Sequence, residues 1–260
     1  MLGVHLPLEN PLQLTAYSAK ELGLDTFQMF IRNNRNMKRR FISESEFNQF
    51  NYYGFKHIVI HAPYAMNPSA DDADARRRYL DFVNSDLLLC SKFNAKVSYV
   101  LHPGSCQSGR TIAMCNLIDF VRNLKDVPNV TVCLEYMAGA GSQMLSCYEE
   151  CLSIAEKCKD KIRLCLDTCH MFASVSDWQM ATAMLLPYTD VVHVNNSMYP
   201  KGSRKDRHAN LSDGCIPTDD LIKYVKGIHY LKPDMPFILE TPREGIISDY
   251  NMLREEILRV

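Results

Sequence analysis

Apolar and polar positions along this 260-residue chain form two alternating kinds of segment. Short, nearly continuous apolar runs are each followed by a longer stretch in which apolar residues recur at helical spacing. Continuous apolar runs of this length are typical of parallel strands buried on both faces. They predict eight strands, at Leu2–Leu6, Thr26–Phe30, His57–His61, Lys96–His102, Thr131–Glu135, Ile162–Asp167, Asp190–His193 and Met235–Glu240.

The stretches between the strands predict eight helices, near Leu12–Leu22, Ser43–Tyr52, Ala73–Phe93, Thr111–Lys125, Leu145–Cys158, Asp177–Leu186, Thr218–Leu231 and Ile247–Leu258. Two of them have recognisable starts. Asn10 before Pro11 is expected to cap the first helix, and Ser43 with Glu46 fits a capping box. Eight strand–helix units predict an α/β fold in which residues 1–260 form a single (β/α)8 TIM barrel domain.

The composition is that of an ordinary globular chain, with 47% hydrophobic and 23% charged residues and a net charge of −1. No apolar run reaches the length of about 18 residues that indicates a membrane span. The N-terminal residues lack the basic and apolar regions of a secretory signal. The ten cysteines are scattered without a CxxC pair, which argues against a thiolate zinc site or a disulfide framework. We therefore expect an intracellular protein with no membrane partner.

Histidines and carboxylates follow the predicted strands one or two at a time. Six of them end the third to the eighth strand, and three more lie in the loops just beyond: His61, His102, Glu135, Asp167, His193 and Glu240, then His170, Asp206 and His208. In TIM barrels the carboxyl ends of the strands form the active-site face. We therefore expect all nine side chains at one mouth, where bound metal would neutralise groups that are costly to bury alone.

Each of these residues has a simpler interpretation when it is taken singly. A strand-end histidine is more often a hydrogen-bonded core residue than a ligand, and Glu135 or Glu240 alone could pair with a lysine. The coincidence of five histidines and four carboxylates at one face favours metal ligands. His5 at the end of the first strand is expected behind the ligands or beside the substrate, and Cys169 is expected to be structural.

The ligand types indicate the metal and its chemistry. Imidazole and carboxylate without thiolate favour zinc or manganese. Nine ligands are too many for one zinc ion, which takes about four. Three ions with shared carboxylates, one position being open to Mn²⁺, are therefore expected. Closely spaced metals activate water at neutral pH and bind both oxygens of an in-line phosphoryl displacement, so phosphodiester hydrolysis is favoured over redox or acyl transfer.

Basic residues form three clusters, at Arg32, Arg35, Lys38, Arg39 and Arg40, at Arg76 to Arg78, and at Lys201, Arg204, Lys205 and Arg207. Any one of them alone is most simply solvated surface. On loops of the same face, together they would form a rim that binds phosphates.

Three motifs resemble those of the endonuclease IV family, the zinc-dependent apurinic/apyrimidinic (AP) endonucleases of base-excision repair. They are HAPYAMN at 61–67, RLCLDTCH at 163–170 and HVNNSMYPKGSRKDRH at 193–208, and the resemblance covers essentially the whole chain. There are departures. Asn196 stands where an acidic residue is usual, Met198 replaces a lysine, Tyr136-Met137 replaces Asn-Thr, and Ala65 replaces a leucine.

The resemblance implies three zinc ions. One would be held by His61, His102 and Glu135, a second by Glu135, Asp167, His193 and Glu240, and the third by His170, Asp206 and His208. It implies hydrolysis of the bond 5′ to an abasic site in duplex DNA, leaving a 3′-hydroxyl and a 5′-deoxyribose phosphate, with 3′-phosphodiesterase or 3′–5′ exonuclease activity as well. Glu135 and Glu240 would be the catalytic carboxylates, Glu135 bridging two ions and Glu240 orienting the nucleophile or accepting a proton.

The resemblance also implies DNA contacts from one monomeric chain. The residues concerned are Asn33, Arg35, Tyr64, Ala65, Arg204 and Arg207. Because Ala65 lacks the leucine side chain, we expect weaker insertion into the duplex, and we expect Asn196 and Met198 to alter phosphate contacts. Two alternatives are a sugar isomerase or epimerase on the same barrel, and a lesion-binding protein without activity.

Overall fold

The computed structural model describes residues 1–34, 37–174 and 177–258. Its strands are β1 (Leu2–Val4), β2 (Gln28–Phe30), β3 (His57–His61), β4 (Lys96–Leu101), β5 (Val130–Glu135), β6 (Ile162–Asp167), β7 (Thr189–Val194), β8 (Asn196–Ser197), β9 (His208–Ala209) and β10 (Phe237–Leu239). All eight predicted strands are confirmed. Two further strands, β8 and β9, form a separate antiparallel pair beyond the end of β7.

The other eight strands form one parallel sheet in the order β1, β10, β7, β6, β5, β4, β3, β2. Its two outer strands meet through a parallel bridge between His5 and Gln28, where the Leu6 N–H donates to the Gln28 carbonyl at 2.8 Å. The sheet therefore closes on itself, and the predicted TIM barrel is confirmed.

The helices are α1 (Gln13–Glu21), α2 (Glu44–Asn51), α3 (Ala73–Cys90), α4 (Arg110–Arg122), α5 (Tyr148–Lys157), α6 (Thr168–Ala173), α7 (Trp178–Leu185), α8 (Thr218–Leu231) and α9 (Ile246–Leu258), with a short 3-10 helix at Leu186–Tyr188. The eight predicted helices are confirmed with small shifts at their ends. The six-residue helix α6 was not predicted, and it follows β6 without a loop.

The start of the first helix differs from the prediction. Leu12 occupies the cap position of α1 without a side-chain cap, and the Asn10–Pro11 peptide before it is cis. Asn10 is therefore not the cap. The Leu12 N–H instead donates to the Glu46 carboxylate at 2.9 Å. The predicted capping box is confirmed, because Glu46 also accepts from the Ser43 N–H while the Ser43 hydroxyl accepts from the Glu46 N–H.

The inside of the barrel is built in layers. Side chains alternate between the two faces of a strand, and six fully buried inward-facing residues form an apolar ring across the barrel: Val59, Val100, Cys133, Cys165, Val191 and Ile238. Two positions further along each of these strands stands a predicted metal ligand. The alternation therefore carries those six ligands into the interior, one layer nearer the mouth.

Two expectations about the whole chain can be compared with the structure. All ten cysteines lie in the described ranges and are free. This agrees with the prediction, made from their scattered positions, that they form no disulfide framework. Among the described residues, none of the helices combines the length and apolarity that crossing a bilayer requires.

Candidate metal centre

The structure brings the nine predicted ligands together at the carboxyl end of the barrel. His61, Glu135, Asp167 and His193 lie on strands, and His102 and Glu240 directly follow β4 and β10. The three residues expected in loops differ: only Asp206 lies in one. His170 is on α6, and His208 is on β9.

The first group of possible ligands contains His61, His102 and Glu135. One carboxylate oxygen, Glu135 Oε2, lies 3.2 Å from His61 Nε2 and 3.1 Å from His102 Nε2. The side chains of His61 and Glu135 are buried, and that of His102 is 15% exposed. Two imidazole nitrogens thus converge on one carboxylate oxygen, which is the donor set of a three-ligand metal site with an open position.

The second group shares Glu135 and adds Asp167, His193 and Glu240. His193 Nδ1 lies 3.3 Å from Glu135 Oε1, 3.2 Å from Glu240 Oε2 and 3.9 Å from Asp167 Oδ2. Since Glu135 directs its other oxygen at the first group, its two oxygens face the two groups separately. This is the arrangement that a bridging carboxylate needs.

The third group surrounds Asp206. Its Oδ2 lies 3.2 Å from His170 Nε2, and its Oδ1 lies 3.4 Å from His208 Nε2. Asp167 also reaches this group, because its Oδ2 is 3.7 Å from His208 Nε2. Asp167 therefore lies between the second and third groups, which the sequence did not indicate. Cys169 is close as well, within 4.8 Å of Asp206 and His208 ligand atoms, and its thiol donates to the Arg207 carbonyl.

Hydrogen bonds to groups outside the cluster orient four of the five histidines. One ring nitrogen of each of four histidines has an oxygen acceptor outside the cluster: His61 Nδ1 the Ala62 carbonyl at 2.6 Å, His170 Nδ1 the Tyr136 carbonyl at 2.8 Å, His193 Nε2 the Gln28 amide oxygen at 2.9 Å, and His208 Nδ1 the Glu240 carbonyl at 3.3 Å. A nitrogen that donates to a carbonyl carries the proton, so the other is the acceptor. Metal-binding histidines are usually held in this way.

Two nitrogens support the fit of the cluster to cations. His170 Nε2 and His208 Nε2 are buried 3.2 and 3.4 Å from Asp206 oxygens, yet neither makes a well-directed hydrogen bond among the described residues. A buried nitrogen without a partner costs free energy. Both atoms face Asp206, and a cation between them and its carboxylate would satisfy all three groups. The residues present therefore fit a metal centre.

The charges of the cluster lead to the same conclusion. Burial alone would raise the pKa of Glu135, but His102 and His193 hold it well below its usual value. Burial would lower the pKa of His170, but Asp167 and Asp206 raise it well above its usual value. Four carboxylates thus require positive charge beside them. Bound cations can supply it and displace the histidine protons.

Comparison with known proteins places this geometry in a family. Residues 16–258 match a family model described as "Xylose isomerase-like TIM barrel". The probable endonuclease 4 of Finegoldia magna is 31% identical over 99% of this chain and 96% of its own length.

The chain belongs to the endonuclease IV family.

Two further relatives agree with this assignment. The crystal structure of endonuclease IV from Thermus thermophilus has a TM-score of 0.81 and 26% identity, covering 100% of this chain and 99% of that one. The apurinic-apyrimidinic endonuclease 1 of Plasmodium berghei is 30% identical over 98% of this chain, which spans 54% of that longer protein.

Around the cluster of this endonuclease IV chain lie most of the residues predicted to contact DNA. Tyr64 and Ala65 follow β3 and are exposed, and the Tyr64 ring lies 5.3 Å from the His102 ring. Arg204 and Arg207 are exposed on the loop that carries Asp206. Asn33 is exposed after β2. Arg35 lies outside the described residues.

The predicted basic rim is smaller than the sequence indicated. Arg32 and Arg39 both bind the buried carboxylate of Asp86, each with a closest approach of 2.7 Å. Arg40 pairs with Glu46 at 2.8 Å. In the second cluster, Arg76 donates to the Ala70 and Asp71 carbonyls, and Arg77 pairs with Asp74. These side chains hold loops and helix ends, because acidic or carbonyl partners lie next to them.

The departures from the family motifs have different roles. Asn196 is fully buried, and its amide holds the chain near Leu211 and Ile216 through three hydrogen bonds of 2.7 to 2.8 Å. Asn196 therefore does not itself face solvent, and the expectation that it alters phosphate contacts stays a prediction of an indirect effect. Met198 is 61% exposed, so that expectation stays a prediction for Met198. Tyr136 is buried, and its hydroxyl bonds to the Ser174 hydroxyl at 3.1 Å.

One residue behind the cluster was missed from the sequence. Gln28 on β2 is fully buried and contacts Glu240, His193 and His5. A glutamine between the apolar residues of TFQMF was the available signal, since an amide is costly to bury without partners. His5 lies 3.8 Å from Glu240 and lines a cavity of about 440 Å³ beside the cluster, together with Phe30, Tyr64, His208, Glu240 and Arg243.

Proposed function

We propose that this chain is an AP endonuclease that hydrolyses the phosphodiester bond 5′ to an abasic site in duplex DNA with three zinc ions. The observation that carries the proposal is the convergence of nine imidazole and carboxylate side chains in three adjoining groups. All nine come from one chain, so a monomer suffices. Membership of the endonuclease IV family supports this reaction, and the relative from Plasmodium berghei is named an apurinic-apyrimidinic endonuclease.

The three groups would supply the ligands of three zinc ions. His61, His102 and Glu135 would hold the first, and Glu135, Asp167, His193 and Glu240 the second. His170, Asp206 and His208 would hold the third, with Asp167 close enough to contribute. Mn²⁺ could replace zinc at one position, because its ligands are also imidazole and carboxylate. When bound, such ions act as Lewis acids and make water a nucleophile at neutral pH.

Two glutamates have distinct parts in the reaction. Glu135 is 1% exposed, and its oxygens face two groups, so we assign it to holding those groups at a fixed separation. Glu240 is 11% exposed and lines the cavity beside the cluster. It is therefore placed to orient an attacking water and accept its proton. The water oxygen bonds to phosphorus as the bond from phosphorus to the 3′-oxygen breaks, and a proton completes the 3′-hydroxyl.

The choice of an abasic site follows from what has to enter the cavity. A sugar without a base is easier to extrude from a duplex than a paired nucleotide. Tyr64 lines the cavity and the exposed Ala65 follows it in sequence, so both would fill the gap that the extruded sugar leaves in the duplex. Arg204, Arg207 and Asn33 would contact phosphates from exposed positions, and the same role is proposed for Arg35. The same centre would also remove blocking groups from 3′ ends, because the bond broken there is a phosphodiester too.

One incubation tests the proposal. The substrate is a duplex with a single tetrahydrofuran abasic analogue, which cannot break by β-elimination, so a nick reports hydrolysis. We expect nicking 5′ to the analogue, a 3′ end that a polymerase extends, three zinc ions per chain by elemental analysis, and loss of nicking in a chelator. A duplex without the analogue should stay intact.

A pair of variants tests the role of Glu240. Glu240→Gln removes the proton acceptor and should lower kcat about a hundredfold or more. Glu244→Gln makes the same change four residues later, at an exposed position, and should leave the rate unchanged. Equal rates for the two variants would remove Glu240 from the mechanism.

The same incubation separates the alternatives. A protein that binds the lesion tightly without nicking it would be a lesion-binding protein. A protein inert toward the duplex would fit a sugar isomerase or epimerase. The third group around Asp206 argues against both, because such a sugar site needs only one or two metals and a binding protein needs none.

A further inference from the structure

The barrel strands β1 and β2, which neither carry nor directly precede a predicted metal ligand, nevertheless face the cluster. β1 and β2 meet at the bridge between His5 and Gln28, and both of these side chains point toward Glu240. Gln28 is fully buried, so its amide must find all of its partners within the protein. The junction of β1 and β2 is therefore linked to the proposed catalytic residue Glu240 through the Gln28 amide.

The partners of Gln28 determine the orientation of its amide. Its nitrogen lies 2.5 Å from Glu240 Oε1 and 2.9 Å from His5 Nδ1. A carboxylate can only accept, so the amide NH₂ must face Glu240. The amide oxygen then faces His193 Nε2 at 2.9 Å and accepts a hydrogen bond from its N–H. One amide thus donates to a carboxylate and accepts from an imidazole.

Each of these bonds leaves one atom free for the cluster. With the proton of His193 on Nε2, the Nδ1 lone pair points at Glu135, Asp167 and Glu240. With Glu240 Oε1 bound to the amide, Oε2 is the oxygen that lies 3.2 Å from His193 Nδ1. Gln28 therefore acts on two members of the second group at once.

We infer that Gln28 is a positioning residue, which holds Glu240 and His193 in the orientation that the second metal group and the proton transfer require. The inference rests on the proposed function, because it deepens the role of Glu240. Groups that orient metal ligands typically contribute about 10- to 100-fold to metal affinity or activity. Gln28 touches neither the proposed metal positions nor the substrate, and it acts through its two partners.

The test uses Gln28→Met, which keeps length and removes both strong hydrogen-bonding functions. Thr26→Val is the matched control. Thr26 lies two residues earlier, just before β2, is equally buried, and donates one hydrogen bond of 2.9 Å to the His57 carbonyl, remote from the cluster. Both variants lose buried hydrogen bonds near β2, so both should melt at a lower temperature.

Only the Gln28 variant should lower kcat and zinc affinity. We expect its kcat on the tetrahydrofuran duplex to fall about 10- to 100-fold with KM nearly unchanged, and its zinc affinity to fall by a similar factor in competition with a chelator. The Thr26 variant should keep both values. Histidine NMR of the zinc-loaded protein gives a readout besides activity. The wild type should show a slowly exchanging His193 Nε2 proton, and Gln28→Met should lose that protection.

A double-variant cycle tests whether Gln28 acts through Glu240. If it does, Gln28→Met should cost much less in kcat when Glu240 is already glutamine than when it is not. Equal costs in both backgrounds, or a Gln28 variant that matches Thr26→Val in kcat, zinc affinity and His193 exchange, would overturn the inference. A wild-type protein that does not nick the duplex would instead refute the proposed function, which keeps the two failures distinct.

Discussion

Asp86 on α3 holds the loop between β2 and α2, and neutralising it should have a large and specific cost. The carboxylate is fully buried. Its two oxygens share the single Arg32 Nε–H at 2.7 and 2.8 Å, and it accepts one hydrogen bond from Arg39 at 2.7 Å and one from the Tyr99 hydroxyl at 3.0 Å. Arg32 and Arg39 stand on either side of Asn33 in the sequence. One carboxylate therefore ties both ends of a proposed DNA-contacting loop to the barrel.

The size of the effect follows from the burial of each partner. Asp86→Asn keeps the shape of the side chain and removes its charge. Arg32 is only 7% exposed and would be left with a buried, unpaired charge, which costs about 3–5 kcal/mol. Arg39 is 24% exposed, so water replaces part of its loss. We expect about 3 kcal/mol of lost stability, or roughly 6–12 °C in Tm at about 2–4 °C per kcal/mol.

Thermal and urea unfolding of the zinc-loaded protein would measure this loss. Asp74→Asn on the same helix is the control, because the Asp74–Arg77 pair is about three-quarters exposed and should contribute less than about 1 kcal/mol. Asp86 does not touch the metal cluster, so zinc content and kcat should persist while KM for the abasic duplex rises. A stability loss equal to that of Asp74→Asn, or a loss of zinc, would refute this reasoning.

Three further predictions concern the metal, pH and the duplex. A chelator should lower the Tm, since zinc at about a thousand times Kd contributes about 4 kcal/mol for a single site; equal melting with and without zinc would contradict the metal centre. Burial, and secondarily Lys96, lowers the pKa of His57 from 6.5 to about 4. His57 should therefore contribute a loss of about 3 kcal/mol to the stability of the zinc-free protein as the pH falls from 6.5 to about 4, and His57→Gln, which cannot titrate, should remove this contribution from the stability–pH curve. Ala65→Leu should tighten binding to the abasic duplex about tenfold by burying added apolar surface, and an unchanged Kd in fluorescence anisotropy would show that this position is not inserted.

The barrel was predictable from the sequence because both of its signals are local. Each strand is a short apolar run, and each ligand on β3, β5 and β6 is simply the residue that ends its run. The ring residues Cys133 and Cys165 stand two positions before Glu135 and Asp167, so alternation alone carries those carboxylates inward. Convergence at one mouth then follows from the architecture.

Other features depend on contacts between remote residues or on elements too short to show a period. The helix that carries His170 has six residues and the strand that carries His208 has two, so both histidines were placed in loops. The arginines around the β2 loop resembled a phosphate rim because Asp86 lies 54 positions after Arg32. Gln28 contacts a carboxylate 212 positions away.

The apolar ring beneath the cluster closes the barrel interior on the side away from the mouth. Below it lie the hydrogen-bonded His57–Ser98 pair and the Arg163–Asp190 ion pair, and above it lie the carboxylates. The ring offers at most weakly polar thiols, so we expect it to be a barrier to hydrated ions along the barrel axis. Cations would then enter and leave through the mouth. A nucleic acid seated there would trap them, and a chelator should strip the complex more slowly than the free protein.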